Sequence, residues 1–176
     1  MVTNIDGIRT AGRIVELEAY NGIIDRASHA YNGKRTKRNE MMYAEAGKAY
    51  MYICYGMHDM FNVITNEEGI PHAILIRAIE PLEGIETMMK RRGLNSFTNK
   101  LTSGPGNLSK AMGLTLQQDG EFLNSESVYI ADDGFHVDES LICQSTRIGM
   151  TSAGEDSLQP YRYFVKGNPF VSSSPR

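Results

Sequence analysis

The chain has 176 residues, 41% of them hydrophobic and 9% aromatic, which is enough for one domain with a single sizeable core and argues against intrinsic disorder. Its formal charge is −3, so a nucleic-acid partner would have to meet a local basic face rather than the net charge. No basic stretch followed by an apolar run opens the chain, and apolar runs such as Ala73–Ile76 are far too short to span a bilayer; the expectation is a soluble cytoplasmic protein (nuclear in a eukaryote) with no membrane partner.

In chain order, the first clear element is the strand Gly12–Gly22. Val15, Leu17 and Ala19 alternate with Glu16, Glu18 and Tyr20, which predicts one apolar face and one face carrying two carboxylates and a ring, spaced roughly 6–7 Å per repeat. Taken alone, this reads equally as an edge strand with a solvated acidic face. Asn21-Gly22 signals a turn, and Asp25–Tyr31 reads as a short helix or ordered turn. Asn32–Asn39 is a polar loop in which Lys34, Arg35, Lys37 and Arg38 cluster, and Glu40–Ala46 is a short helical stretch. Lys48–Tyr55 and Met60–Thr65 are strands joined by a hairpin tip at Tyr55–Asp59, with Tyr50 and Tyr52 on one face. His72–Ile79 is an apolar strand carrying one charge, Arg77.

Pro81–Arg92 is the best helix, with Pro at its start, acids in its first turns, Lys90-Arg91-Arg92 at its end and Gly93 as a stop. Ser103-Gly104-Pro105-Gly106 opens a second helix, Leu108–Met112. A Gly-flanked helix start offers N–H groups to a phosphate, though a plain Ser cap followed by a turn explains it as well. Short strands follow at Val128–Ala131, Ser140–Gln144 and Tyr161–Val165. No linker divides the chain and β-α-β alternation is absent. The expected fold is α+β (mixed α/β): a single domain over residues 1–176 with a curved, largely antiparallel sheet, a protruding β-hairpin and surrounding helices.

Which chemistry do these residues allow? Cys54 and Cys143 have no near neighbour, and His29, His58, His72 and His136 are scattered, so no zinc-ligand spacing exists and no metal site is expected. The absence of HxE and PCxxC motifs excludes zinc-dependent base deamination. Glu18, several flat rings, an imidazole and basic loops make the inventory for holding a flat heterocycle and acting on it with water. Hydrolysis of an N-glycosidic bond needs no metal. A cationic alkylated purine leaves readily, so one carboxylate can suffice where sugar-to-sugar glycosidases use two.

Several blocks then point one way: Arg13–Tyr20, Ala27-Ser28-His29, Arg35–Asn39, Tyr52–His58 with Asn62, Ile76–Gly84, Ser103-Gly104-Pro105 and Lys166–Ser172. From about Gly12 to the C-terminus the chain resembles the alkyladenine (3-methyladenine) DNA glycosylase family. That resemblance implies base excision repair by a monofunctional glycosylase acting on double-stranded DNA with damaged purines; no cofactor is expected, and a monomer is the default for an enzyme that must approach DNA freely. Glu18 resembles the general base, Arg77 its water-positioning partner, and the backbone around Met150 a further acceptor. Tyr20, His29 and Tyr52 resemble the walls of the base pocket, and Asn62 the residue that screens 2-amino purines. Tyr55 resembles the wedge that fills the vacated stack. Arg35, Lys37 and Arg38 in the basic loop, and Ser103 and Gly104 at the helix start, are the expected contacts to the DNA backbone. The resemblance also implies a helix and a strand before the Gly12 strand, so an N-terminal segment is expected to be missing. A non-catalytic damaged-DNA or RNA binding module, or a hydrolase of small nucleosides, stays open as an alternative.

Overall fold

The strand read from Gly12 onward is the middle of a longer one. In the computed structural model, which describes residues 1–172, β2 runs from Ile8 to Asn21 and the rest of the sheet is assembled on its two edges. The last four residues of the expected 1–176 domain lie outside the described residues. Along one edge lies β5 (His72–Glu83), antiparallel. The other edge is shared: β1 (Val2–Ile5) pairs residues 8–11, and β8 (Arg162–Val165) pairs residues 16–18. β1 is not evident in the sequence. It turns back through Asp6 and Gly7, both at positive φ, as a two-residue hairpin loop requires. The β3 (Ala49–Cys54) and β4 (His58–Ile64) hairpin adds to β5, and β6 (Val128–Tyr129) and β7 (Ile142–Ser145) extend β1 and β8. Every pairing is antiparallel, so the α+β expectation holds, with two α-helices, α1 (Ile85–Arg92) and α2 (Pro105–Met112).

The sheet's first core lies against those helices. Ile14, Leu17, Met51, Phe61, Ile76 and Ile79 meet Met88, Leu101, Leu108 and Met112. Each large side chain buried here contributes about 1.5–3 kcal/mol. A second core of Ala30, Met42, Tyr43, Tyr50, Ile64 and Ala73 closes under the residue 23–47 segment. Helix α1 begins four residues later than the sequence suggested. Pro81, Leu82 and Glu83 instead prolong β5, with Pro81 opposite Gly12. The approach there is close: a Cβ on Gly12 would lie 2.6 Å from the Glu80 carbonyl oxygen. The basic end of α1 is tied into the fold, with Arg91 donating to Ala111 and Ile5 carbonyls and Arg92 to that of Leu101.

The expected strict alternation is broken where it matters most. Val15 has no partner on β5, and Arg77 has none on β2. Two facing bulges therefore sit side by side. As a result Ile14, Leu17, Ile76 and Ile79 all reach the first core, whereas Val15 and Ala78 join Phe170 in a third. Bulges re-aim side chains; these two bring Glu16, Glu18 and Arg77 to the same side of the sheet.

Candidate active site

On that side, four segments converge. The β3–β4 hairpin presents Tyr50 and Tyr52, two residues apart and so on one face, with Asn62 directly across from Tyr50. Tyr20 comes from the end of β2. The turn after β2 brings Ala27 and His29, and the loop before the residue 151–158 turn brings Met150. Together with Met42 and Ala73 they line a cup of about 60 Å³. All four expected base-pocket residues, Tyr20, His29, Tyr52 and Asn62, are on its wall. The His29 and Tyr52 rings meet edge-on at 4.6 Å between centroids, and Tyr50 and Tyr52 lie tilted at 5.5 Å. Asn62 donates to the Tyr50 carbonyl at 3.0 Å, which orients its side-chain amide. Burial pushes the Tyr52 phenol up to about 12. His29 is held below its ordinary value, first by burial and then by the charges of Arg38 and Lys34, so the cup is lined by neutral groups.

Glu18 lies behind the Tyr20 side chain rather than on the cup wall. It is fully buried. One carboxylate oxygen accepts from the Ile148 amide at 2.7 Å; the other accepts from the Tyr20 hydroxyl at 3.0 Å and stands 3.3 Å from an Arg77 nitrogen. Burial and the adjacent Glu18 charge raise the Tyr20 phenol well above its usual range, so it remains a donor. In the loop that carries Met150, it is the Ile148 N–H, a donor, that reaches the acid.

Arg77 belongs to two carboxylates at once. Its Nε donates to Glu16 at 2.9 Å while its other end faces Glu18. Glu16 also accepts from Arg162 Nε at 2.8 Å and from the hydroxyl and amide of Ser172 at 2.7 and 2.6 Å. Burial works against the Glu16 carboxylate, but Ser172, Arg162 and Arg77 outweigh it and hold its carboxyl below the usual range. The group is two acids and two guanidiniums, all buried, which makes ionisation tolerable because each charge has a partner.

A second buried pair docks the loop that carries Ile148 and Met150. Arg147 donates to Asp25 at 2.5 and 2.8 Å, to the Ala19 carbonyl at 2.9 Å and to the Asp156 carbonyl at 3.1 Å. Its guanidinium carbon also lies 4.8 Å from the Tyr20 ring centroid. Asn39 plays a similar part for His29, donating to the His29 and Lys34 carbonyls and accepting from Thr36.

Outside the cup, the hairpin tip projects Tyr55, 88% exposed, with Met57 beside it. Tyr55 and Gly56 both have positive φ. A non-glycine residue held there costs about 1–2 kcal/mol, and such local strain is common at functional positions. Arg38 donates to the Ile53 carbonyl and lies over Tyr52, Lys37 is exposed, and Arg35 is paired with Glu40. Ser103 and Gly104 precede α2 and are half-buried; a Cβ on Gly106 would press on the His58 ring at 3.0 Å, so this helix start abuts the hairpin.

Tyr50, Glu16, Asp25, Arg147 and Arg162 were not among the expected site residues. Tyr50 and Glu16 carried a usable signal, sharing the parity of Tyr52 and of Glu18; the other three did not. A larger groove of about 1010 Å³ runs beside β1 and the residue 130–138 loop. Its two arginines, Arg9 and Arg13, are neutralised by Glu83 and Asp133, and no buried acid faces it; the chemistry converges at the small cup. Among the described residues, no helix is long and apolar enough to cross a membrane.

Comparison with known proteins agrees with this geometry. The family profile described as Methylpurine-DNA glycosylase (MPG) matches residues 1–169. Proteins provisionally named 3-methyladenine DNA glycosylase are similar over nearly the whole chain. The one from Clostridium acetobutylicum is 42% identical, covering 98% of this chain and 86% of its own length. One from Clostridium perfringens is 43% identical (98% and 88%), and one from Chlamydia abortus 43% (94% and 86%). With the buried acid, the aromatic cup and the exposed hairpin tip already in view, these matches show that the chain belongs to the methylpurine-DNA glycosylase family.

Proposed function

We propose that the chain is a monofunctional DNA glycosylase that flips a damaged purine out of duplex DNA and hydrolyses its N-glycosidic bond with a water activated by Glu18. The observation that carries this reading is the pairing of a sealed, fully hydrogen-bonded carboxylate with an aromatic cup directly in front of it. Alkylated purines are the first substrate class and deaminated purines the second. Stacking on Tyr20, Tyr52 and His29 contributes about 1–3 kcal/mol per base, and a cationic base gains further from the tyrosine faces.

The cup is small, about 60 Å³. Tyr20 is the wall bonded to Glu18. Its displacement by a base both widens the cup and frees a carboxylate oxygen, so admission of the base and uncovering of the acid are one movement. Water then bonds to C1′ while giving a proton to Glu18. The C1′–N9 bond breaks with its electron pair leaving on the purine, which neutralises an alkylated cationic base and yields an abasic sugar. Arg77, shared with Glu16, stands 3.3 Å from Glu18 and faces it with an opposite charge. No lysine lines the cup, which supports simple hydrolysis over a Schiff-base lyase step. Tyr55 fills the gap left in the stack. Lys37, Arg38 and the Ser103-Gly104 helix start engage phosphates, with Arg35 contributing less because Glu40 already neutralises it.

The test is Glu18→Gln in single-turnover excision from DNA containing 3-methyladenine or hypoxanthine. The amide keeps an acceptor for Ile148, so the fold and lesion binding persist, while the rate falls by about 10³-fold or more. An unchanged rate would remove Glu18 from the mechanism. If wild-type protein binds lesion duplex but excises nothing, the chain is the non-catalytic binding module instead.

A further inference from the structure

The chain after β8 is pinned beside the two facing bulges. Asn168 donates to Glu80 at 3.1 Å and accepts from the Phe170 amide, and Phe170 is buried with Val15 and Ala78. That anchoring delivers Ser172 to the buried charge group, where all of its polar atoms are engaged. Its amide donates to Glu16 Oε2 at 2.6 Å, and its carbonyl accepts from Arg162 Nη2 at 2.8 Å. A hydroxyl has one proton to give and lone pairs to accept with. The Ser172 hydroxyl gives its proton to Glu16 Oε1 at 2.7 Å and accepts from Arg77 Nη2 at 3.3 Å.

An arginine beside a carboxylate favours a two-pronged fork, two N–H groups on two oxygens. Among the described residues, Arg77 sets one prong on Glu16, Nε on Oε1 at 2.9 Å. The second oxygen is taken by the Ser172 amide, and Nη2 is held by the Ser172 hydroxyl. The fork is closed to Arg77, and its Nη1 is left 3.3 Å from Glu18. Without the hydroxyl, Nη2 loses that acceptor and Oε1 has one donor fewer. The guanidinium is then free to turn toward Glu16 and off Glu18.

We propose that Ser172 is a positioning residue: by bonding both Glu16 and Arg77 it divides the Arg77 guanidinium between the two acids and keeps one edge turned to Glu18. It is not on the cup wall, and it acts through Arg77. The effect on rate rests on the reading of Glu18 as the base that activates water; the fixed guanidinium does not.

The experiment is NMR of the arginine side-chain nitrogens on the free protein, for wild type, Ser172→Ala and Ser172→Thr. In the wild type, rotation about the Arg77 Cζ–Nε bond is expected to be slow, so that its Nη groups give separate signals. They should average in Ser172→Ala and stay apart in Ser172→Thr, which keeps the hydroxyl. Averaged Arg77 signals in the wild type overturn the proposal, and that measurement stands even if a variant folds poorly. In parallel, single-turnover excision of 3-methyladenine should slow about tenfold in Ser172→Ala, the weight of one hydrogen bond to a charged group. Lesion-duplex affinity should hold, and Ser172→Thr should restore the rate; an unchanged rate in Ser172→Ala overturns the proposal. In an Arg77→Lys background, Ser172→Ala should cost nothing further. The same loss there would show that Ser172 works by another route, and would overturn it too. Because the NMR needs no substrate, an inactive wild-type protein would count against the glycosylase reading alone.

Discussion

Glu16 and Glu18 are chemically identical and two residues apart, yet the structure gives them different work, and Glu16→Gln tests that division. Glu16 is fully buried and takes four hydrogen bonds, two from guanidiniums and two from Ser172. Glutamine keeps one acceptor oxygen. Its NH₂ group, however, falls where the Ser172 amide now donates, and the two arginines are left with one fewer negative charge. Breaking a buried pair from one side costs about 3–5 kcal/mol. A protein of this size loses about 2–4 °C per kcal/mol, so the lower bound corresponds to a melting temperature lower by about 6–12 °C. The assay is urea unfolding together with thermal denaturation, at pH 7 and down to pH 3. In the folded state the Glu16 carboxyl is held below the ordinary glutamate value. Its stabilising contribution is therefore complete above that value and disappears as the pH falls through the folded one. The gap between wild type and variant should narrow along the same path. A loss under about 1 kcal/mol at pH 7, or a gap that does not narrow in acid, would refute the claim that this ionised carboxylate holds the two arginines in place.

Tyr55→Ala removes a side chain that is 88% exposed, so unfolding free energy should stay within about 0.5 kcal/mol, whereas affinity for lesion-containing duplex should fall about tenfold; unchanged affinity in a binding titration would remove Tyr55 as the wedge. Gly12→Ala would set a methyl 2.6 Å from the Glu80 carbonyl oxygen and 2.8 Å from Ile79 Cδ1. It should cost about 1–3 kcal/mol by overpacking the β2–β5 crossing, and wild-type stability in urea would show that the strands can spread there. Asp25→Asn leaves Arg147 buried with its partner's charge gone. Excision should slow through a displaced Ile148–Met150 loop while lesion binding to the exposed hairpin weakens less, a split that single-turnover rate against duplex affinity will report.

How much of this was legible beforehand depends on how far each interaction reaches along the chain. Period-two patterning placed Glu18 and Tyr20 on one face of a strand and Tyr52 within a hairpin, because side-chain alternation is a local property of extended backbone. The glycine after α1 and the basic last turn likewise mark a helix end from within a few residues. The motif blocks pointed to the family, and the cup gathers the four residues expected in it. Where Pro81 misled, the local rule was sound, but continued pairing with β2 offered more than an early helix turn.

The partners of the acids were beyond any such rule. Arg77, Arg162 and Ser172 reach Glu16 across 61, 146 and 156 residues, and Arg147 reaches Asp25 across 122. Which cation meets which carboxylate was decided by two facing bulges and by the edge of β2 on which β8 docks. An extra residue in a strand leaves no mark on composition or charge, yet it turns a side chain to the opposite face. The strand's sequence supplied the acid and the rings; the tertiary register determined that the acid would be dry, paired and covered by Tyr20.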